Sequence, residues 1–170
     1  MMSLPRVLDL DAKGMLKMSI LPEMQKLRGP RQAPKSGERA MVIRDGCGEL
    51  QCVARTEREP FALSFHLADG EAVGRDLVQI EWKPDTKSLL VDGKSVDAAG
   101  GKAGLVEISA YIDGSVIELL INQSFAKTKR FYYPGNSAPE IRVEFQGGKE
   151  SLRQFAAWQI TPISKDRLTG

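Results

Sequence analysis

Few side chains in this sequence could carry out chemistry, and most of those that could are carboxylates. The chain has one histidine, His66, which alternates with apolar residues in Phe61–Leu67 and is therefore expected on the polar face or rim of a strand. The serine motif GxSxG, the P-loop and the dinucleotide motif GxGxxG are all missing from the sequence. A pair of carboxylates, one acting as acid and one as base or nucleophile, is then the remaining route to hydrolysis.

The candidates for such a pair are three acidic residues of one stretch: Glu107, Asp113 and Glu118. Asp113 precedes Gly114, and an Asp-Gly pair at this place is already explained by the geometry of a tight turn. Glu118 stands between Val116 and Leu120, whose apolar side chains would partly remove its carboxylate from water. Catalysis is nevertheless the weaker interpretation, and the sequence predicts no catalytic residue.

Metal, cofactor and nucleic-acid sites are not indicated either. Cys47 and Cys52, together with a single histidine, do not make a zinc site, so we expect neither a metal nor a cofactor. The two cysteines could form a bridge, but two small half-buried thiols in or near a strand are the favoured interpretation. Lys plus Arg number 24 and Asp plus Glu 22, and this near balance gives no support for nucleic-acid binding.

The candidate acids lie in the stretch around which the fold is organised, Leu105–Asn122. Two β-rich runs flank Asp113-Gly114, and this dipeptide is a strong signal for a two-residue hairpin turn. Such a loop predicts a register with the inward pairs Ala110–Ile117, Ile108–Leu119 and Val106–Ile121. The other face then carries the pairs Tyr111–Val116, Ser109–Glu118 and Glu107–Leu120. We expect this hairpin to form the centre of a sheet, with Leu119 buried.

The rest of the chain predicts an all-β fold. Roughly ten short runs have strand character, and Pro22–Arg28 is the one convincing helical stretch, followed by Gly29 as a C-terminal cap and by a loop over 29–38. Alternation changes phase near Phe155, which predicts a bulge, and both Trp82 and Trp158 are expected in the core. No apolar run approaches the roughly 20 residues of a membrane helix, so no membrane contact is predicted.

Three passages resemble glycoside hydrolase family 32, the family of invertases, inulinases and levanases. Ile112–Asn122 resembles the D-x-S-x-x-E-x-F-x-N hairpin of the family's C-terminal β-sandwich, and Thr128–Pro134 is similar to its T-s-R-x-y-P strand. Ser3–Leu10, Leu16 after a turn, and Leu21–Arg28 are similar to the passage that connects the family's catalytic propeller to the sandwich. Leu120 or Leu119 replaces the phenylalanine of the hairpin motif, and Gly114 replaces the arginine after its aspartate, which are departures from the family pattern.

The resemblance implies a fold, a domain organisation and a limit on activity. The expected fold is a two-sheet antiparallel β-sandwich, a concanavalin- or lectin-like jelly roll, with residues 1–170 as a single domain and 1–30 as its connecting strand and helical turn. The family's catalytic acids belong to the motifs N-D-P-N-G, R-D-P and E-C, and this sequence contains none of them. No residue here can therefore take over those roles.

Two functional hypotheses follow from the resemblance. The first is a non-catalytic module that braces the catalytic propeller of an enzyme acting on sucrose or fructans. The second is a free-standing, lectin-like carbohydrate-binding module. The N-terminal residues lack the apolar segment of a signal peptide, but secreted, periplasmic and cytoplasmic locations all stay open if the N-terminus is truncated.

The outer face of the hairpin suggests where a partner would bind. Tyr111, Val116 and Leu120 are neighbours there, although a water-exposed face would be mostly polar. Apolar patches of this kind often mark interfaces. The predicted partner is the catalytic propeller of the same protein or a second copy of this domain, and coverage by the chain's own N-terminal segment or by the loop over 29–38 is the open alternative.

Overall fold

A computed structural model describes residues 4–35, 37–57, 59–69, 72–97, 102, 104–133, 138–148 and 150–161. Within these ranges the chain forms fourteen strands and one short 3₁₀ helix, more strands than the roughly ten expected. The strands are β1 (Arg6–Leu10), β2 (Leu16–Ile20), β3 (Arg28–Gln32), β4 (Ala40–Ile43), β5 (Cys47–Arg55), β6 (Phe61–Asp69), β7 (Ala72–Lys83), β8 (Ser88–Val91), β9 (Lys94–Val96), β10 (Leu105–Asp113), β11 (Val116–Ile121), β12 (Phe125–Arg130), β13 (Ile141–Gly147) and β14 (Leu152–Ile160). The predicted all-β class is confirmed.

Two six-stranded antiparallel sheets pack face to face and form a sandwich. Sheet 1 has the strand order β12-β11-β10-β5-β14-β3, and sheet 2 has the order β4-β13-β6-β7-β8-β9. A separate two-stranded sheet, the ribbon, pairs β1 with β2. The core lies between the sheets because alternate side chains of each strand point inward. Its largest fully buried members include Phe65, Phe145, Leu50, Leu63, Ile80, Ile108, Ile117, Leu119 and Ile121.

The hairpin β10–β11 has the predicted faces, but the predicted register is wrong by two residues. Ala110 pairs with Leu119 and Ile112 with Ile117, so the loop is Gly114-Ser115 instead of Asp113-Gly114. The cause lies in the neighbouring strand, because β10 remains paired with β5 as far as Asp113 and thereby keeps this residue extended. A shift of two residues leaves each side chain on the same face of its strand. Leu119 is accordingly buried, as predicted.

The helical stretch is shorter than expected and ends differently. Pro22–Leu27 forms a 3₁₀ helix with Pro22 in its first turn. Arg28 is extended with φ −68°, and the chain continues directly into β3, so the predicted cap at Gly29 and the first part of the predicted loop are wrong. No helix in the described ranges is both long and apolar enough to span a membrane.

Three smaller predictions concern β14, the tryptophans and the cysteines. A register shift between Leu152 and Gln154 places the bulge of β14 close to the predicted position. Trp82 packs against the core as expected, but Trp158 lies on the outer side of sheet 1 beneath Arg28, so its predicted core position is wrong. Cys47 and Cys52 are both buried and are not joined by a disulfide, and burial raises the pKa of Cys52 to about 12.

Candidate functional site

The outer face of sheet 1 is the most unusual surface of the chain because it carries two buried glutamates. Glu49 on β5 and Glu118 on β11 are 1% and 5% exposed. Each carboxylate is bound by an arginine from residues 4–28, which we call the connecting segment: Arg28 binds Glu49 and Arg6 binds Glu118. Buried charges are tolerated only when they are paired and hydrogen-bonded. The connecting segment is therefore fixed to the sandwich at two points.

Glu118 is the glutamate of the hairpin motif and the main catalytic candidate of the sequence. Its Oε1 accepts a hydrogen bond from the Leu4 backbone N–H at 3.2 Å, and its Oε2 accepts one from Arg6 Nη2 at 3.2 Å. Glu118 pairs with Tyr111 of β10, and Glu107 lies four residues before Tyr111 on that strand, which separates the two glutamates by roughly 13 Å at the usual strand rise. Glu118 thus holds the connecting segment instead of pairing with a second accessible carboxylate.

Glu49 is the centre of a larger network. Arg28 binds it through two parallel hydrogen bonds, Nε to Oε2 at 2.7 Å and Nη2 to Oε1 at 2.6 Å. The Tyr111 hydroxyl and the Gln51 amide donate to Oε1 at 3.0 and 3.1 Å. Gln154 extends the network by donating to Gln51 Oε1 at 3.2 Å. With four donors the buried carboxylate is well satisfied, which is the condition for keeping a charge at such a position.

Electrostatics and an aromatic contact hold Arg28 in the network. The hydrogen bonds to Glu49 raise the pKa of Arg28, so its guanidinium stays charged. Burial, followed by the negative charge of Glu49, raises the pKa of Tyr111, so its hydroxyl remains a donor. The guanidinium carbon of Arg28 lies 4.4 Å from the centre of the Trp158 ring, a cation–π distance.

The predicted interface residues belong to this face. Val116 and Leu120 are buried within the chain and Tyr111 is half-buried. Leu21 and Met24 of the connecting segment border the same cavity as Tyr111 and Leu120. The proposed role of Tyr111, Val116 and Leu120 in an interface stays a prediction.

The ribbon exposes the apolar surface that the outer face of sheet 1 does not. Six large apolar side chains are exposed in the described part of the chain, and all but Tyr132 belong to residues 7–16. Leu10 pairs with Leu16 in the ribbon register, and Leu8 lies two residues away on the same face. These three leucines are 62%, 51% and 64% exposed respectively. A contiguous apolar strip of this kind is uncommon on a surface that faces only water.

His66 has a modest structural role. Its Nδ1 lies 2.7 Å from Asp76 Oδ1, and its side chain is 12% exposed. Across the described ranges, no cluster of three or more His, Cys, Asp or Glu side chains is placed to hold a metal ion.

Sequence reasoning missed two functional features of this region. The first is Glu49, whose burial depends on Arg28, a residue 21 positions earlier in the chain. The alternation of Glu49 with Leu50 in a β-rich run could have placed it on an outer strand face, but nothing local shows that this face is covered. The second is the exposure of the ribbon, because the apolar residues of β1 and β2 do not show from their pattern that this pair of strands lies outside the sandwich.

One protein-family model matches most of the chain. The family model described as "Glycosyl hydrolases family 32 C terminal" matches residues 37–159. No curated protein sequence matches the chain.

Several solved structures contain a region with the same fold as this chain. The Bombyx mori family 32 β-fructofuranosidase BmSUC1 aligns with a TM-score of 0.66 and 18% identity, over 93% of this chain and 32% of that chain. A family 32 glycoside hydrolase from Bifidobacterium adolescentis aligns with a TM-score of 0.65 and 17% identity, over 95% and 26%. A sucrose-6-phosphate hydrolase from Lactobacillus gasseri aligns with a TM-score of 0.58 and 14% identity, over 92% and 33%. The chain therefore spans a quarter to a third of each of these larger proteins.

Proposed function

The chain belongs to the C-terminal domains of glycosyl hydrolase family 32, and we propose that it is a non-catalytic module that packs against and braces a catalytic domain of this family. The parent enzyme would act on sucrose or fructans. The absence of the family's three catalytic motifs from the sequence supports a non-catalytic role. The engagement of Glu118 by Arg6 and Leu4 supports it further, since this carboxylate is already used for structure.

The exposed strip of the ribbon is the observation that carries this proposal. An isolated two-stranded hairpin is marginally stable in water and usually needs a further strand or a packing partner. Here Leu8, Leu10 and Leu16 are all more than half exposed. A second domain placed on the strip would bury these side chains. The larger size of the aligned family 32 structures is consistent with such a domain.

The two buried ion pairs suit the bracing role. A brace must present its contact surface at a fixed position, and Arg6–Glu118 lies at the start of the ribbon. The Met18 backbone N–H also donates to the Gln123 carbonyl at 2.7 Å, which joins β2 to the turn between β11 and β12. The ribbon is thereby held against sheet 1 while its leucines stay outside.

The proposal is tested first on the coding DNA upstream of this chain and then on the protein. We expect a catalytic domain with the N-D-P-N-G motif in the same reading frame. In the full-length protein, Leu8→Gln together with Leu16→Gln should lower the melting temperature of the catalytic domain. The matched control, Gln146→Glu on the outer face of sheet 2, should leave it unchanged. An upstream region that encodes no such domain would refute the proposal.

A further inference from the structure

A cavity of about 230 Å³ lies between the connecting segment and the outer face of sheet 1, and the bracing role does not explain it. The connecting segment contributes the apolar side chains of Leu21 and Met24. Sheet 1 contributes the polar Gln51 and Ser109, with Leu120 paired directly to Ser109. The cavity thus combines apolar contacts with a few hydrogen-bonding groups, which is the usual composition of a small-molecule site.

Because the charged groups that line the cavity compensate each other, we expect its ligand to be uncharged. Glu49 borders the cavity and is 1% exposed, but its charge is compensated by the two hydrogen bonds from Arg28. The other polar groups at the cavity include a hydroxyl on Ser109 and an amide on Gln25, which offer both donors and acceptors. An anion or a cation would leave water without gaining a countercharge, which is unfavourable.

The size of the cavity limits the ligand to a small molecule. A volume of 230 Å³ is below the range of roughly 300–1,000 Å³ that is typical of pockets for drug-sized ligands. It corresponds to about seven or eight water molecules at ~30 Å³ each, which is enough for one monosaccharide but not for a chain of sugars. A sugar ring also has the required mixed character, because its C–H face is apolar and its hydroxyls both donate and accept.

We propose that this cavity binds a single neutral monosaccharide unit, with its hydroxyls on Gln51, Ser109 and Gln25 and its C–H face against Leu21 and Met24. The network around Glu49 prepares the site, because Gln51 is already fixed between Glu49 and Gln154 at 3.1 and 3.2 Å. A pre-positioned polar group lowers the entropic cost of binding. The proposal concerns the module itself, so it does not depend on a docked catalytic domain.

The test is a titration of the ¹⁵N-labelled chain with D-fructose, D-glucose and glycerol, followed by NMR. We expect saturable shifts of the Gln51, Ser109 and Leu120 amides with a dissociation constant on the order of millimolar for at least one of the two sugars, as is usual for so small a ligand. Glycerol should bind at least several-fold more weakly, because it has no ring face that could cover Leu21 and Met24.

Two variants and a control assign the shifts to the cavity. Ser109→Leu fills the cavity and should abolish binding, and the dispersion of its amide spectrum shows whether it folds. Gln25→Leu changes only an exposed residue of the 3₁₀ helix, so it tests the site even if Ser109→Leu does not fold, and it should weaken binding at least threefold. Gln146→Leu, on the far sheet, should bind like the unaltered chain.

Three results would overturn the proposal. The first is the absence of saturable shifts with either sugar up to about 100 mM. The second is unchanged binding in Gln25→Leu and in any folded Ser109→Leu protein. The third is binding of glycerol as tight as that of the sugars, which would assign the cavity to small polyols in general and not to a sugar ring. None of these results bears on whether the ribbon packs against a catalytic domain.

Discussion

Replacing Arg28 with methionine tests most directly how the connecting segment is held. The variant keeps an unbranched side chain of similar length but removes the two hydrogen bonds to Glu49 and the contact with Trp158. Glu49, which is 1% exposed in the unaltered chain, would keep only Tyr111 and Gln51 as donors. Removal of one partner from a buried pair usually costs 3–5 kcal/mol. Because two donors remain, we expect the lower end, a loss of about 3 kcal/mol in the free energy of unfolding.

The assay is urea unfolding of the variant, a matched control and a double variant. Arg44→Met is the control, because Arg44 is 74% exposed and lies 3.8 Å from Glu140, so its loss should change stability by less than about 0.5 kcal/mol. At a slope of roughly 1–3 kcal/mol per molar urea, Arg28→Met should move the midpoint by at least about 1 M. In Arg28→Met/Glu49→Gln the unpaired charge is gone, so the double variant should be more stable than Arg28→Met alone.

The relative stabilities of the three variants show whether an unpaired charge on Glu49 causes the loss of stability. If Arg28→Met and Arg44→Met lose equally little stability, the pair with Glu49 has no special role and the segment is held by other contacts. If the double variant is less stable than Arg28→Met, the cost does not come from an unpaired carboxylate. Either result would refute the reasoning from burial.

Three further predictions address activity, packing and pH dependence. The purified chain should release no fructose from sucrose, inulin or levan, and a release that is lost on Glu118→Gln would contradict this, because hydrolysis requires two accessible carboxylates. Leu119→Ala should cost roughly 2–5 kcal/mol in urea unfolding, as is usual for a core leucine, whereas Leu8→Ala on the exposed strip should cost well under ~1 kcal/mol. Asp92 is partly desolvated, which raises its pKa, but the hydrogen bonds from Lys127 and Gln79 outweigh this effect and its pKa lies below the ordinary 3.8. The stability that Asp92 contributes should therefore be complete above pH 3.8 and be lost as the pH falls through its folded pKa. The difference in unfolding free energy between the unaltered chain and Asp92→Asn should fade in that range and stay constant between pH 5 and 8.

The hairpin shows which parts of the fold can be read from the sequence. The faces of β10 and β11 follow from a period of two residues, so Ile108 and Leu119 are buried as predicted even though the register differs by two. The turn was not predictable, because pairing of Asp113 with Cys47 in β5 decides where the loop begins. The expected Asp-Gly geometry with two positive φ angles does occur at Asp92-Gly93, between β8 and β9, and at Asp45-Gly46, just before β5.

The outer face of sheet 1 shows what the sequence could not provide. Apolar residues on a strand face indicate that something covers them, but the pattern does not say whether the cover is another protein or the same chain. Here the connecting segment brings Arg6 and Arg28 onto Glu118 and Glu49, contacts between residues 112 and 21 positions apart. Only the three-dimensional arrangement shows that two charged residues of the connecting segment are the partners of two buried acids.

The two ion pairs and the exposed leucines are best understood as parts of one arrangement. A connecting segment that was free to move would bury its own apolar side chains against the sandwich, since that would lower its free energy. The Arg6–Glu118 pair holds β1 to sheet 1, and Leu8 and Leu10 of that strand nevertheless remain 64% and 62% exposed. Buried ion pairs add little net stability compared with apolar packing, but they define a position. The arrangement is therefore suited to presenting an apolar strip to a second domain in a fixed orientation.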